Sequence, residues 1–89
     1  MRIVFLYHPE SEHAGKIMDY AHEYHRRHQE TEPEMLSLET VQGAEMARLY
    51  DVTSYPAILI ISRDGRLQQL WQEEQLPLMQ DLDAYAYSY

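Results

Sequence analysis

The stretch Ala57–Ile61 is an unbroken apolar run that is bounded on both sides by residues that interrupt regular structure. Pro56 precedes it, and residues 63–66 follow it with the pair Asp64-Gly65, which favours a tight β-hairpin turn. The run is too short for a typical helix, so we predict a buried strand that pairs antiparallel with Leu67–Trp71. The fold must therefore contain a sheet with an antiparallel hairpin.

Short apolar runs alternate with helical patterns in the rest of the chain. Residues 3–7 predict a central strand, and residues 35–38 predict a second strand. Helices are predicted over residues 11–29 with Ser11 as N-cap, from residue 40 or 42 onwards, and around residues 76–86. The apolar positions of the first two helices are Ala14, Ile17, Met18, Ala21 and Tyr24, and then Val41, Ala44, Met46 and Leu49.

This order of elements, β-α-β-α-β-β-α, predicts an α/β fold. Crossover helices between the early strands imply parallel connections, and the hairpin adds an antiparallel half. We therefore expect a four-stranded mixed sheet with helices on both faces. Because 89 residues are too few for two cores, we expect residues 1–89 to form a single domain.

The charge balance is strongly acidic, with fifteen Asp and Glu against seven Lys and Arg and a net charge of -8. This charge repels phosphate backbones and anionic lipid surfaces, so we predict neither a nucleic-acid partner nor a membrane partner. The N-terminal apolar run turns polar at His8, too early for a signal peptide, and no run approaches the roughly 20 apolar residues of a membrane span. We expect a cytoplasmic protein.

The chain contains no cysteine. It therefore has no disulfide, no thiolate nucleophile and no Cys-ligated zinc. Thiol–disulfide oxidoreductase activity is excluded, because that exchange needs a thiolate.

The second half of the chain resembles thioredoxin-like domains. The resemblance lies in the helix that runs to Val52, the segment Thr53-Ser54-Tyr55-Pro56, the apolar strand and the turn at residues 63–66. With the order of elements it covers essentially the whole chain, and it is closest to the minimal, glutaredoxin-sized version. It implies a cis bond before Pro56, facing a groove where the family's backbone pairs with an extended peptide.

The family's redox motif, Pro-x-Cys-x-x-Cys, falls where the first strand meets the first helix. Here Pro9 is followed by Ser11 and Ala14 at the two cysteine positions, so the resemblance implies a member that has lost its redox chemistry. What remains is a candidate ligand- or peptide-binding groove, formed by Thr53, Ser54, Tyr55 and Pro56 together with His8, Ser11 and His13.

Three functions are compatible with this pattern. The leading hypothesis is a module that binds a protein or an extended peptide, with no catalytic residue and no cofactor. A glutathione- or thiol-dependent enzyme using Ser11 is the second, although the carboxylates of Glu73 and Glu74 would repel those of glutathione. The third is a structural role as a homodimer, because the resemblance places residues 35–38 at the edge of the sheet.

Histidines are frequent enough to raise the possibility of a metal site. His22, His25 and His28 recur every three residues in the first predicted helix, and imidazole is a common ligand of zinc, copper and nickel. On a helical wheel His25 and His28 lie within about 45° of the centre of the apolar face, whereas His22 lies about 100° away. The three cannot converge on one ion, so we predict no metal site and expect His25 and His28 to be partly buried.

Overall fold

The computed structural model describes residues 2–29, 32–72 and 76–86. Within them the chain forms strands β1 (Arg2–Tyr7), β2 (Glu34–Ser37), β3 (Ala57–Ile61) and β4 (Leu67–Trp71) and helices α1 (Ala14–Arg27), α2 (Val41–Leu49) and α3 (Met79–Ala86). The four strands form one sheet in the order β2-β1-β3-β4. The predicted α/β class, the order of elements and the mixed sheet are confirmed.

Strand β1 is the centre of this sheet. It runs parallel to β2, with Val4 opposite Glu34, and antiparallel to β3, with Val4 opposite Leu59. Strand β3 also pairs antiparallel with β4. Strand β2 therefore lies at one edge, as the resemblance implied.

Helices cover both faces of the sheet, which explains why residues 3–7 of β1 and all of β3 are apolar and buried. On one face, α1 and α3 contribute Ile17, Ala21, Tyr24 and Leu82 to a buried cluster. On the other face, Ala47 of α2 and the nearby Val52 pack against a second cluster. The strand residues of these two clusters are Ile3, Phe5, Tyr7, Ile58 and Ile60 on the first face, and Val4, Leu6, Ala57, Leu59 and Ile61 on the second.

The predicted hairpin joins β3 to β4. The N–H of Gly65 donates to the carbonyl of Ser62 at 3.0 Å, and the N–H of Ser62 donates to the carbonyl of Arg66 at 2.9 Å. Gly65 has a φ of 88°, in the left-handed region that glycine adopts without a steric penalty. The Asp64-Gly65 signal in the sequence therefore marks the turn correctly.

The start of α1 differs from the prediction. The helix begins at Ala14 with His13 as N-cap, and no side chain caps it. Ser11 is therefore not the N-cap: its N–H and hydroxyl both donate to the carbonyl of His8, at 3.2 and 2.6 Å. These bonds close a turn before the helix, so the prediction for Ser11 was wrong because the hydroxyl bonds backwards along the chain.

The apolar face predicted for α2 holds only for Met46, which is half-buried against the second cluster. Val41 and Leu49 are 72% and 71% exposed, and the buried positions of this helix are Gly43 and Ala47. A Cβ atom on Gly43 would lie 2.0 Å from the carbonyl oxygen of Ser37 in β2. The helix therefore approaches the sheet through its smallest residues rather than its largest.

Thr40, one of the two predicted starts, is the N-cap and accepts from the N–H of Gly43 at 3.1 Å.

The histidines in and at the end of α1 differ in burial, because only the C-cap residue His28 packs against α3. His28 is 2% exposed, and its Nε2 lies 2.6 Å from Oδ1 of Asp83 in α3. Its ring also lies 4.6 Å from the ring of Tyr24. His22 and His25 are exposed, so the expected burial holds for His28 and fails for His25. No helix in the described ranges is long and apolar enough to cross a membrane.

Candidate functional site

Two loops meet at one end of the sheet. Residues 8–13 follow β1, and residues 53–56 precede β3. Because β1 and β3 are antiparallel neighbours, with Leu6 opposite Ala57, the end of one strand lies beside the start of the other. The Tyr55–Pro56 peptide bond is cis, and Pro56 is buried. The predicted groove residues are thus brought to one end of the fold.

The side chains of His8, His13 and Tyr55 form an aromatic cluster at this end, called here the His8–His13–Tyr55 cluster. The His8 and Tyr55 rings are 5.1 Å apart and meet edge to face at 80°. The His8 and His13 rings are 6.3 Å apart. Nε2 of His13 accepts a hydrogen bond from the backbone N–H of His8 at 3.2 Å, so this nitrogen carries no proton in that arrangement. The cluster combines apolar ring faces with polar ring atoms.

Ser11 is close to the cluster, but its hydroxyl is already used. It donates its proton to the carbonyl of His8 at 2.6 Å. A hydroxyl held in this way is not positioned to donate to a ligand thiolate without first breaking that bond. The acidic turn that argued against glutathione, Glu73 and Glu74, lies outside the described residues.

The proline loop is tied to the end of β4 by Gln72. The carboxamide oxygen Oε1 of Gln72 accepts from the N–H of Thr53 at 2.9 Å and from the N–H of Ser54 at 3.3 Å. The hydroxyl of Thr53 lies 3.4 Å from the same oxygen. Sequence reasoning missed Gln72, because nothing in a polar residue after a strand indicates which distant amides it will reach.

Tyr55 differs from Thr53 and Ser54 because its backbone N–H does not donate to Gln72. Its phenol hydroxyl donates to the carbonyl of Val52 at 3.3 Å. Within residues 2–29, 32–72 and 76–86, however, its backbone N–H and C=O have no hydrogen-bond partner. Both groups are therefore unpaired among these residues, in a half-buried residue that belongs to the His8–His13–Tyr55 cluster.

Metal ligation has no support from the geometry of these residues. Among the described residues, no group of three or more His, Cys, Asp or Glu side chains is arranged to hold a metal ion. At this end of the sheet, Nε2 of His13 is engaged by the His8 backbone. The side chains at this end of the sheet are instead arranged for hydrogen bonds and aromatic contacts.

A second surface lies along the edge strand β2. A groove of about 440 Å³ runs between β2 and α2, and its lining residues are Arg2, Glu34, Leu36, Gln42, Glu45, Met46 and Leu49. At its rim the guanidinium of Arg2 donates to both oxygens of Glu34, at 2.7 and 2.8 Å. This pair of bonds lowers the pKa of Glu34. Dimerisation through this edge stays a prediction.

Comparison with solved structures identifies the architecture. Thioredoxin 1 from the thermophilic eubacterium Thermosipho africanus TCF52B matches with a TM-score of 0.74, over 99% of this chain and 97% of that one, at 8% identity. The fold is thioredoxin-like. The resemblance inferred from the sequence is thereby confirmed at the level of fold.

Two further structures agree with this thioredoxin-like assignment. A structure described as a malarial protein has a TM-score of 0.73 at 11% identity, over 97% of this chain and 92% of that one. The first two thioredoxin domains of Saccharomyces cerevisiae Eps1p give 0.69 at 15% identity, over 96% of this chain and 33% of that one. No family model and no curated protein matches the chain. Identities this low establish a shared fold and no shared activity.

Proposed function

We propose that this thioredoxin-like chain is a redox-inactive binding module that takes up an extended segment of a partner protein beside Pro56. The observation that carries the proposal is the backbone of Tyr55, whose N–H and C=O are unpaired among the described residues. These are the two groups through which an added strand pairs with a sheet. Without cysteine, binding at this position ends in a complex and not in a disulfide.

The His8–His13–Tyr55 cluster supports this role. A segment that pairs with Tyr55 places its side chains against these rings, which lie 5.1 and 6.3 Å apart. Aromatic side chains with a polar tip are enriched at protein interfaces and supply much of their binding energy. The net charge of -8 favours neutral or basic segments, since like charges oppose association.

The loop is also held in place before any partner arrives. Pro56 is buried, and strand β3, which follows it directly, is buried at every position. A site that is ordered in advance loses less conformational entropy on binding, so more of the contact energy appears as affinity.

Panning a random dodecapeptide library on the wild-type protein tests the proposal. The enriched peptides are synthesised and their affinities measured for wild type, Tyr55→Ala and Tyr55→Phe. We expect Tyr55→Ala to weaken binding by roughly 10-fold or more, as loss of a central aromatic contact does. Tyr55→Phe is the matched control, because it keeps the ring and removes only the hydroxyl, and it should bind like wild type. If no peptide is enriched over a blank surface, or if Tyr55→Ala binds as well as wild type, the proposal fails.

Titration with millimolar glutathione tests the enzyme hypothesis in the same protein. The Ser11 hydroxyl already donates to the carbonyl of His8, so we expect no amide shift near Ser11 or Pro56. Saturable shifts at both positions would instead favour glutathione binding over peptide binding.

A further inference from the structure

Three donors of the proline loop converge on one side-chain oxygen. The N–H groups of Thr53 and Ser54 lie 2.9 and 3.3 Å from Oε1 of Gln72, and the Thr53 hydroxyl lies 3.4 Å from it. Consecutive N–H groups that point at one atom form a concave acceptor-binding nest. This nest directly precedes Tyr55, whose own N–H and C=O are unpaired among the described residues. The nest occupied by Gln72 is therefore adjacent in the chain to the unpaired N–H and C=O of Tyr55.

The group that fills the nest is a side-chain carboxamide, which resembles a peptide bond. The carboxamide of Gln72 has the same carbonyl acceptor and the same neutral charge as a backbone amide. Neutrality of the partner's acceptor matters here, because a net charge of -8 opposes the approach of an anionic partner from solution. The acceptor best suited to replace Gln72 is therefore a backbone carbonyl.

We propose that Gln72 occupies, in the free protein, the place of a partner's backbone carbonyl, and that a bound extended segment displaces it. This inference rests on the proposed function, and it adds a second docking point to it. The partner pairs with the open backbone of Tyr55 and gives one carbonyl oxygen to the N–H groups of Thr53 and Ser54. Gln72 is half-buried at the end of β4, so its side chain can leave the nest while the strand stays paired.

Such an exchange makes Gln72 a competitor of the partner. One amide acceptor replaces another, so the hydrogen bonds gained and lost nearly cancel. Removing the competitor should tighten binding by roughly 2- to 10-fold, the factor equivalent to one net hydrogen bond. A charged acceptor bonds N–H groups more strongly than a neutral one, so a carboxylate at position 72 should hold the nest and weaken binding by a similar factor.

The opposite reading is that Gln72 only braces the proline loop. In that case Gln72→Ala loosens the loop and weakens binding, while Gln72→Glu, which keeps the brace, binds like wild type. The two readings therefore predict effects of opposite sign for Gln72→Ala.

The probe is a peptide enriched on the wild-type protein, acetylated and amidated, and chosen to have no ionisable side chain. Its dissociation constant is measured for wild type, Gln72→Ala, Gln72→Glu and the control Gln42→Ala, which lies on α2 at the far edge of the sheet. We expect tighter binding for Gln72→Ala, weaker binding for Gln72→Glu and no change for Gln42→Ala. Urea unfolding of each variant shows that all four are folded under the assay conditions.

Amide shifts separate failure of this inference from failure of the proposed function. In the wild type, the peptide should shift the amides of Thr53, Ser54 and Tyr55 together. If Tyr55 shifts while Thr53 and Ser54 do not, or if Gln72→Ala weakens binding, Gln72 is not a carbonyl surrogate but the peptide site stands. If none of the three amides shifts, both proposals are overturned.

Discussion

Gly43→Ala adds one methyl group to the first turn of α2, and the structure predicts that it destabilises the protein. A Cβ at this position would lie 2.0 Å from the carbonyl oxygen of Ser37 and 2.8 Å from its carbonyl carbon, closer than real Cβ atoms approach backbone. The helix cannot move away freely, because the Thr40 hydroxyl donates to that carbonyl at 2.7 Å. The same Thr40 oxygen caps the helix through the N–H of Gly43.

The expected magnitude is the balance of three effects. Overpacking against backbone costs about 3 kcal/mol, and loss of the Thr40 cap costs about 1 kcal/mol more. Alanine returns about 1 kcal/mol through its higher helix propensity. The free energy of unfolding should therefore fall by about 3 kcal/mol, a large share of the roughly 4 to 13 kcal/mol expected for a chain of this length.

Urea unfolding, followed by far-ultraviolet circular dichroism and by the fluorescence of Trp71, measures this change. Gly15→Ala in α1 is the matched control, because no atom lies within 4 Å of its added Cβ. It should raise the free energy of unfolding by about 0.5 to 1 kcal/mol. If Gly43→Ala is as stable as wild type, the close approach of α2 to β2 described here is wrong.

Two further substitutions test the polar contacts that join distant elements. His28→Ala removes the buried partner of Asp83 and should lower the free energy of unfolding in urea titrations by about 2 to 3 kcal/mol. The control His22→Ala changes an exposed residue and should alter this free energy by less than about 0.5 kcal/mol. Equal effects of the two substitutions would contradict the buried contact. Glu34→Gln should lower stability at neutral pH by less than about 1 kcal/mol, because both partners are partly exposed. Since Arg2 lowers the pKa of Glu34 below 4.5, its contribution is present above that pH and is lost as the pH falls through the folded-state pKa. A difference between Glu34→Gln and wild type that persists in strong acid would contradict this assignment.

Elements that depend on local chemistry could be predicted from the sequence. Strands β3 and β4 lie at the predicted residues, because an apolar run bounded by Pro56 and the Asp64-Gly65 turn leaves little choice of register. Strand β2 is displaced from the prediction by only one residue, beginning at Glu34 instead of Met35. In each case the signal lies within a few residues of the element that it specifies.

Features that depend on distant contacts could not be predicted. Periodicity assigned Val41 and Leu49 to the buried face of α2, but the closeness of β2 selects Gly43 and Ala47 instead. The contacts of Gln72 with the proline loop join residues 18 and 19 positions apart. A single sequence carries no record of such pairs.

The candidate site was predictable only in part. The resemblance brought His8 and His13 to the proline loop, and in the structure the His8 ring contacts that of Tyr55. The same resemblance, with the helix pattern, assigned Ser11 to the helix start, yet its hydroxyl bonds to the carbonyl of His8. The resemblance to thioredoxin-like domains therefore located the two loops. The contacts within the loops depend on side chains that are specific to this chain.

Amide hydrogen exchange with and without an enriched peptide shows whether a peptide pairs with the backbone of Tyr55. The backbone N–H of Tyr55 has no partner among the described residues, so it should exchange quickly in the free protein and slowly in the complex. If a peptide pairs with the backbone of Tyr55, this N–H becomes protected in the complex. Protection confined to Met35 and Ser37 of the edge strand β2, with Tyr55 unchanged, would contradict pairing at Tyr55.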